Sequence, residues 1–243
     1  LPSISDSFDP TMRYVLHPLN AENYQRDKVY TELNFKHQVF QTGTSEKFDN
    51  IAYVGNNIGD KTVYNNALER ISTTQSQFFS LITMQGHLPW GLIDSSITAE
   101  GEGFTESQNN DLLAYTRLLS NTDTATREFL DSLQKIEKKI TVVFYGDHLP
   151  GLYPSEVFLD NPDSQFRTEY FIWSNFETPK LNYPLVNSSD FSALLFKQTN
   201  SKVSPYYALM TEYLDTNSGQ KYENTKEGAK ISLDLPMVQY DLS

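Results

Sequence analysis

The sequence predicts an α/β protein whose central sheet is mostly parallel and lies between layers of helices. Apolar runs of strand length alternate along the chain with segments of helical periodicity, which is the order that defines this class. The run KKITVVFYG, residues 138–146, is almost continuously apolar after its two lysines, as strands covered by helices on both faces are. The segment with the clearest helical spacing, residues 109–136, leads directly into it.

Further strands are predicted wherever a short apolar run is bounded by polar or turn-forming residues. The tail alternates apolar and polar residues and contains Pro236, as an edge strand does. The predicted segments are MRYVLH (12–17), HQVFQ (37–41), QFFSLITM (77–84), RTEYFIWSN (167–175) and the tail KISLDLPMVQYDL (230–242).

Helices are predicted where apolar residues recur every three or four positions. Asp60, Ser189 and Ser204 stand where helix caps are expected. The helical segments are 20–35, 59–74, 109–136, 189–198 and 204–214, and the Gly- and Ser-rich residues 91–107 form a surface loop. The predicted inward residues are Tyr24, Val29 and Leu33; Val63, Ala67, Leu68 and Ile71; and Leu112, Tyr115, Leu119, Thr122, Phe129, Leu133 and Ile136.

Composition narrows the possible functions. The 243 residues carry a formal charge of −12 without a basic stripe, which argues against a nucleic-acid partner. The absence of cysteine excludes disulfides, thiolate metal sites and cysteine nucleophiles. No apolar run approaches the roughly 20 residues of a membrane-spanning helix. The polar opening SISDSFDP has no leader pattern, so residues 1–11 are expected to be a linker within a longer protein.

The candidate site lies at predicted strand ends, where open α/β sheets bind ligands. Asp147 and His148 follow the strand at 140–146, His87 follows the strand at 77–84, and His17 ends the strand at 12–17. Carboxylate oxygen and imidazole nitrogen suit Mn²⁺, with Zn²⁺ or Mg²⁺ as alternatives. A common Gly-Asp turn is the competing explanation for the Asp147–His148 pair.

Structural roles compete with functional ones at the other candidates. His87 could cap a loop with its ring stacked on Trp90, and His17 before Pro18 could be structural; no function is predicted for His37. Arg26 could bind a phosphate in bidentate fashion, or it could be a solvated arginine paired with a neighbouring acid, Glu22 or Asp27.

Other catalytic signatures are missing. The sequence contains no nucleophile elbow, phosphate-binding loop or dinucleotide-binding glycine pattern. Two metal ligands are also fewer than the three that a catalytic divalent ion generally takes.

Four blocks, LHPLNAENYQRDKVYTELNF, FFSLITMQGHLPW, VVFYGDHLPG and EYFIWSN, together resemble the lipoteichoic acid synthase family. These phosphoglycerol transferases of the sulfatase and alkaline phosphatase-like superfamily are found in Gram-positive bacteria. The resemblance covers residues 12–180 as a family-like core, with residues 181–243 as C-terminal helices and edge strand, and places the whole chain in the C-terminal portion of one extracellular catalytic domain.

The resemblance implies roles for particular residues. Asp147 and His148 resemble metal ligands for a Mn²⁺-type ion, and His87 resembles a histidine that contacts the transferred phosphate. His17, Tyr24 and Arg26 resemble residues that hold glycerol phosphate. In family members this group moves from phosphatidylglycerol to a growing polymer through a covalent intermediate on a threonine.

The chain also departs from the family pattern. Leu19 stands where members carry a polar or acidic glycerol contact, so the headgroup is not defined by the resemblance. The threonine nucleophile and an earlier acidic metal ligand lie upstream of the LHP block in the family, and residues 1–16 carry neither. This chain alone is therefore expected to be inactive, with the membrane reached through an upstream region.

Two other functions stay open at this point. One is a different phosphotransferase of the superfamily, or a sulfatase. The other is a non-catalytic module of the cell envelope that keeps the fold and binds a polyanionic polymer.

Overall fold

The computed structural model describes residues 3–217 and residue 231. The described chain divides into two compact units. The larger unit contains residues 5–138 and 146–168, and the smaller unit contains residues 139–145 and 169–217 together with residues 3, 4 and 231.

The larger unit is built on a three-stranded parallel sheet. Its strands are β1 (Arg13–Asn20), β2 (His37–Thr42) and β5 (Phe78–Leu81), in the order β2-β1-β5. A short antiparallel hairpin, β3 (Tyr53–Val54) and β4 (Asn57–Ile58), lies between β2 and β5 in the chain.

Helices accompany this sheet. They are α1 (Arg26–Glu32), α2 (Asp60–Leu68) and α3 (Glu106–Gln134), and α2 contacts both β1 and β5. The side chain of Thr105 and that of Gln108 form a capping box that starts α3, as this residue pair favours. The Tyr64 ring on α2 stacks on Phe129 of α3 at 4.6 Å between ring centres, which joins the two helices.

The smaller unit pairs two strands and packs two helices on them. β6 (Thr141–Tyr145) and β7 (Tyr170–Ser174) are antiparallel, and α4 (Phe191–Thr199) and α5 (Pro205–Asn217) follow. The buried side chains of Ala193, Leu194, Met210 and Leu214 form its core, against which Tyr170 and Ile172 of β7 pack.

The predicted fold class is confirmed: the structure is mixed α/β with a parallel sheet flanked by helices. The β3–β4 and β6–β7 pairs are antiparallel and depart from the parallel pattern. Among the predicted caps, Ser204 accepts a hydrogen bond from the Tyr207 backbone at 3.4 Å. The prediction for Ser189 is wrong, because Asp190 precedes α4 and forms a capping box with Asn187 instead.

The predicted helix at 20–35 is shorter than its periodicity indicates. Tyr24 and Gln25 adopt left-handed backbone angles, φ 56° and 54°, so α1 begins only at Arg26. Tyr24 and Val29 are therefore 81% and 48% exposed, and their prediction as inward residues is wrong.

The predicted core of α3 is partly right. Phe129 and Leu133 are buried, whereas Leu119 is 50% exposed and was wrongly placed inward. Ala114, Leu118 and Ala125 are buried without having been predicted. Small alanines contribute little to an apolar periodicity, yet they allow α2 to approach closely.

The predicted tail strand at 230–242 lies outside the described residues apart from Ile231, which is helical and buried. No helix within the described part of the chain is both long enough and apolar enough to span a bilayer.

Candidate active site

His17 is the buried centre of the candidate site. It lies within β1 rather than after its end, and its side chain is fully enclosed. Its Nδ1 faces the Ile82 carbonyl at 3.4 Å, and its Nε2 lies 3.0 Å from Nη1 of Arg26. A carbonyl can only accept a hydrogen bond, so Nδ1 of His17 carries a proton. A guanidinium can only donate, so Nε2 accepts from Arg26 and the ring is neutral.

The electrostatic surroundings keep His17 neutral. Burial, the Arg26 guanidinium and the positive charge that His87 can carry lower the pKa of His17 to about 4, against the opposing effect of the Ile82 carbonyl. The Ile82 carbonyl that faces His17 lies at the start of the loop that carries His87. These three residues therefore form one group, which we call the His17 cluster.

Arg26 has no carboxylate partner in the part of the chain that the structure describes. It is half-buried at the start of α1, with its guanidinium 4.9 Å from the centre of the Tyr24 ring. Within residues 3–217 it forms no ion pair with Glu22 or Asp27, so the predicted alternative of a solvated, paired arginine is not what the structure shows. In a chain of net charge −12, such an arginine is suited to bind an anion.

The backbone before Arg26 is strained. Two consecutive non-glycine residues with positive φ, Tyr24 and Gln25, cost about 1–3 kcal/mol each and persist only where the surroundings fix them. They turn the chain so that the Tyr24 ring and the Arg26 guanidinium lie against each other. Strain of this kind is typical of binding sites.

His87 is exposed on the loop after β5. Its Nδ1 donates to the Leu88 carbonyl at 2.7 Å, which leaves the lone pair of Nε2 free. The predicted alternative of stacking on Trp90 is not seen: the Trp90 ring packs edge-on against Tyr115, and its N–H donates to the Gly86 carbonyl.

Asp147 and His148 form an exposed pair two residues beyond β6. The carboxylate Oδ2 of Asp147 lies 3.7 Å from Nε2 of His148. Nδ1 of His148 donates to the Leu149 carbonyl at 2.8 Å, so its Nε2 also keeps a free lone pair. These two atoms therefore lie close together on exposed side chains.

This pair fits a divalent metal ion. Two ligands held about 2.1 Å from one tetrahedral ion are about 3.4 Å apart, close to the observed spacing. A histidine that binds metal commonly donates its other ring nitrogen to a backbone carbonyl, as His148 does to Leu149. Among the described residues no group of three or more histidine or acidic side chains could hold a metal, so the pair is a partial ligand set.

The structure brings some of the predicted site residues together and leaves others apart. His17, Tyr24, Arg26 and His87 lie in one region, whereas Asp147 and His148 bond only within their own turn in the described part of the chain.

A buried polar network beside the His17 cluster escaped the sequence analysis. Asp60, expected as a helix cap, is buried: it accepts from Oγ1 of Thr122 at 2.7 Å and from the Gln85 backbone at 3.3 Å. Burial raises the pKa of Asp60 against these hydrogen bonds. Gln85 is fully buried two residues before His87, in an apolar-looking run that gave no sign of it.

The buried neutral state of His17 predicts a loss of stability in mild acid. The pKa of His17 is about 4 in the folded chain and about 6.5 when unfolded, so the unfolded chain binds more protons between these values. The free energy of unfolding is therefore expected to fall by about 2 kcal/mol more in the wild type than in H17Q between pH 7 and pH 5. Glutamine can replace both hydrogen bonds without titrating. Urea denaturation of both proteins at both pH values measures the difference; parallel pH profiles would contradict it.

The model of the sulfatase family matches residues 12–201, so the chain belongs to the sulfatase family. Members of this superfamily generally depend on a bound metal ion, which agrees with the ligand chemistry of Asp147 and His148.

Solved structures place the chain more closely within that class. It is 50% identical to the phosphoglycerol transferase GacH of Streptococcus pyogenes, a structure in complex with sn-glycerol-1-phosphate, with a TM-score of 0.94 over 98% of this chain and 63% of that one. The lipoteichoic acid synthase LtaP of Listeria monocytogenes shares the fold at 20% identity and a TM-score of 0.52, over 71% of this chain and 46% of that one. The family resemblance predicted from the sequence is confirmed.

Curated relatives are more distant. The capsular polysaccharide biosynthesis protein RkpI of Rhizobium meliloti is 27% identical over 162 residues, which cover 65% of this chain and 27% of the relative. The chain spans about a third or less of the length of the curated relatives that it matches.

Proposed function

We propose that this chain forms part of a metal-dependent phosphoglycerol transferase that moves glycerol phosphate from phosphatidylglycerol to a lipoteichoic-acid-type polymer. The observation that carries the proposal is Arg26, a half-buried arginine that has no carboxylate partner among the described residues and is held by a neutral histidine. The 50% identity to a phosphoglycerol transferase supports the same substrate class.

Arg26, His17 and Tyr24 have distinct parts in this proposal. Arg26 binds the non-bridging oxygens of the phosphate, because a guanidinium matches that geometry and keeps its charge at any working pH. His17, being enclosed, holds Arg26 rather than touching the substrate. The exposed ring of Tyr24 forms one wall for the glycerol moiety.

His87 is the candidate acid–base residue. The free lone pair of its Nε2 can take a proton from an acceptor hydroxyl, and the protonated ring can give a proton to the diacylglycerol oxygen that leaves when glycerol phosphate is transferred. When protonated, the same ring would add positive charge beside the phosphate.

Asp147 and His148 would hold the metal, which we propose to be Mn²⁺, with Mg²⁺ or Zn²⁺ as alternatives. A bound divalent ion supplies polarisation of a phosphoryl oxygen and stabilises the charge that develops on it. Because the pair is a partial ligand set within the described residues, we expect weak metal binding and no turnover by this chain alone. The parent enzyme would act at the extracellular face of a Gram-positive cell membrane.

Ligand binding to the chain tests the substrate class. Isothermal titration with sn-glycerol-1-phosphate in the presence of Mn²⁺ is expected to show tighter binding than the same titration with inorganic phosphate, sulfate or glycerol. Binding of inorganic phosphate measures how much of the affinity comes from the phosphoryl group. Binding of glycerol measures how much comes from the glycerol moiety. Preference for sulfate over glycerol phosphate would contradict the proposal and favour a sulfatase, and equal, weak binding of all four would favour a non-catalytic module.

A further inference from the structure

A buried hydrogen-bond network holds the segment that carries His87. β5 ends at Leu81, and the N–H of the next residue, Ile82, donates to the Leu16 carbonyl of β1 at 3.0 Å. We call the residues that follow, 83–87, the His87 segment. They lie beyond the strand and end at an exposed residue, so their position depends on contacts other than strand pairing.

Gln85 fixes the middle of the His87 segment from the protein interior. Its side chain is fully buried, and it uses both its amide oxygen and its amide N–H groups in hydrogen bonds. Oε1 accepts from the Asp60 backbone at 3.1 Å, and Nε2 donates to the Leu118 carbonyl at 2.9 Å and to Oγ1 of Thr122 at 3.1 Å. Moving this side chain would leave several buried polar atoms without a partner, which is costly.

Asp60 and Gln85 bind each other in both directions. The Asp60 backbone N–H, in the first turn of α2, donates to the side chain of Gln85, and the Gln85 backbone N–H donates to Oδ1 of Asp60 at 3.3 Å. The second carboxylate oxygen of Asp60, Oδ2, accepts from Oγ1 of Thr122 on α3 at 2.7 Å. Thr122 therefore bonds to both members of the pair and closes the network.

The network is one tight turn away from His87. The His87 N–H donates to the Met84 carbonyl at 3.0 Å, so the His87 backbone is fixed relative to its neighbour Gln85. On the exposed side, Nδ2 of Asn57 donates to the His87 carbonyl at 2.9 Å. Residues 57–60 therefore hold the segment both at Gln85 and at His87.

We propose that Asp60 and Thr122 are positioning residues for His87: their buried hydrogen bonds to Gln85 fix the place of the His87 backbone, and with it the place from which the His87 ring reaches the substrate. The part of this inference that concerns turnover rests on the proposed function, in which His87 is the acid–base residue. The part that concerns the anchoring of the segment does not.

Thr126 provides a matched control on the same helix. It lies one turn after Thr122 on α3, it is buried, and its Oγ1 bonds to the Tyr64 hydroxyl of α2 at 3.1 Å. T122V and T126V each remove one hydroxyl between α2 and α3 and keep the shape of the side chain. Within the described residues Thr126 makes no hydrogen bond to the His87 segment, so T122V should loosen His87 and T126V should not.

Amide hydrogen exchange of the chain, followed by NMR at pH 6, tests the anchoring. In T122V the protection of the Gln85 and His87 amides is expected to fall by at least about tenfold, because the loss of a buried hydrogen bond to a carboxylate corresponds to about that factor. T122S, which keeps the hydroxyl, and T126V should retain wild-type protection at both amides.

A second variant covers the case in which T122V does not fold. D60N keeps an oxygen that can accept from the Gln85 backbone but loses the second oxygen, which accepts from Thr122, so its protection at His87 should lie between those of the wild type and T122V. Unchanged protection at His87 in folded T122V and D60N would overturn the inference. An equal loss of protection at His87 in T126V would also overturn it, because the effect would then belong to helix packing in general.

Steady-state kinetics of the protein at its natural full length give the second readout. We expect kcat to fall by about 10- to 100-fold in T122V with little change in KM, because His87 would be misplaced relative to a substrate that Arg26, held by His17, still binds. T122S and T126V should act as the wild type does. Faster exchange at His87 with kcat unchanged would overturn the link to turnover. Failure of the wild type to act on phosphatidylglycerol would overturn the proposed function and leave the exchange result standing.

Discussion

Replacing Arg26 by alanine is expected to weaken sn-glycerol-1-phosphate binding by about 30-fold or more. Removing one partner of a hydrogen-bonded charge pair costs about 2–5 kcal/mol, and about 1.4 kcal/mol corresponds to a factor of ten in affinity. The guanidinium is half-buried, and no carboxylate within residues 3–217 neutralises its charge. Isothermal titration of the chain, wild type against R26A, measures the loss.

Two further variants separate charge from geometry. R26K keeps the positive charge but cannot form a planar fork and hold His17 at once, so an intermediate affinity is expected. R127A removes an exposed arginine on α3 that pairs with Asp123 at 2.8 Å, and it should bind as the wild type does. Equal affinity of R26A and wild type would show that the phosphate binds elsewhere.

Replacing His148 by alanine is expected to reduce Mn²⁺ affinity of the chain by at least about tenfold, a loss of about 1.4 kcal/mol. The reason is that one of two converging ligand atoms, Nε2 of His148 and Oδ2 of Asp147, disappears. D147N should have a comparable effect, since an amide oxygen is a poorer ligand than a carboxylate. Electron paramagnetic resonance of free Mn²⁺ during titration measures the affinity.

The chain offers a matched control for this experiment. His37 and Glu46 also form an imidazole–carboxylate pair, with Nδ1 and Oε1 3.2 Å apart. Nδ1 of His37 carries the proton of this hydrogen bond, so its lone pair is not available to a metal ion, unlike that of Nε2 in His148. H37A should therefore retain wild-type Mn²⁺ affinity. Loss of affinity in H37A but not in H148A would contradict the assignment of the metal to Asp147 and His148, and it would place the ion at His37 and Glu46 instead.

Much of the fold follows from patterns that extend over several residues. The apolar runs predict β1, β2, β5, β6 and β7, and the helical periodicity predicts α2, α3, α4 and α5, because burial of a strand or of a helix face leaves a regular signal in the sequence. The direction of β7 relative to β6 did not follow, since antiparallel and parallel partners can have the same apolar run.

Single-residue backbone choices were not predictable in this way. Tyr24 and Gln25 are ordinary residues for a helix, and nothing in their spacing indicates positive φ. Tertiary contacts of Arg26 with His17 override the local preference, and they shorten the helix. His17, predicted at a strand end, instead lies within β1 because pairing with β2 continues as far as Asn20.

The residue types in the sequence identify the candidate site residues, but they do not identify the residues that hold these in place. His87, Asp147 and His148 stand out as polar residues after apolar runs. Asn57 lies in a plain hairpin turn and Gln85 at the end of a strand run, and each acts through a contact about 25 to 30 positions away in the chain. Such pairs become visible only when the fold brings them together.

The most direct measurement is the Mn²⁺-dependent release of glycerol phosphate from phosphatidylglycerol vesicles by the protein at its natural full length. The wild type and R127A should release it, and activity should disappear on chelation and return with Mn²⁺. R26A and H148A should each be at least about 100-fold slower, because each lacks a contact that stabilises the transferred phosphate. Wild-type rates in R26A and H148A, or no release by the wild type with Mn²⁺ present, would contradict the assignment of this chain to phosphoglycerol transfer.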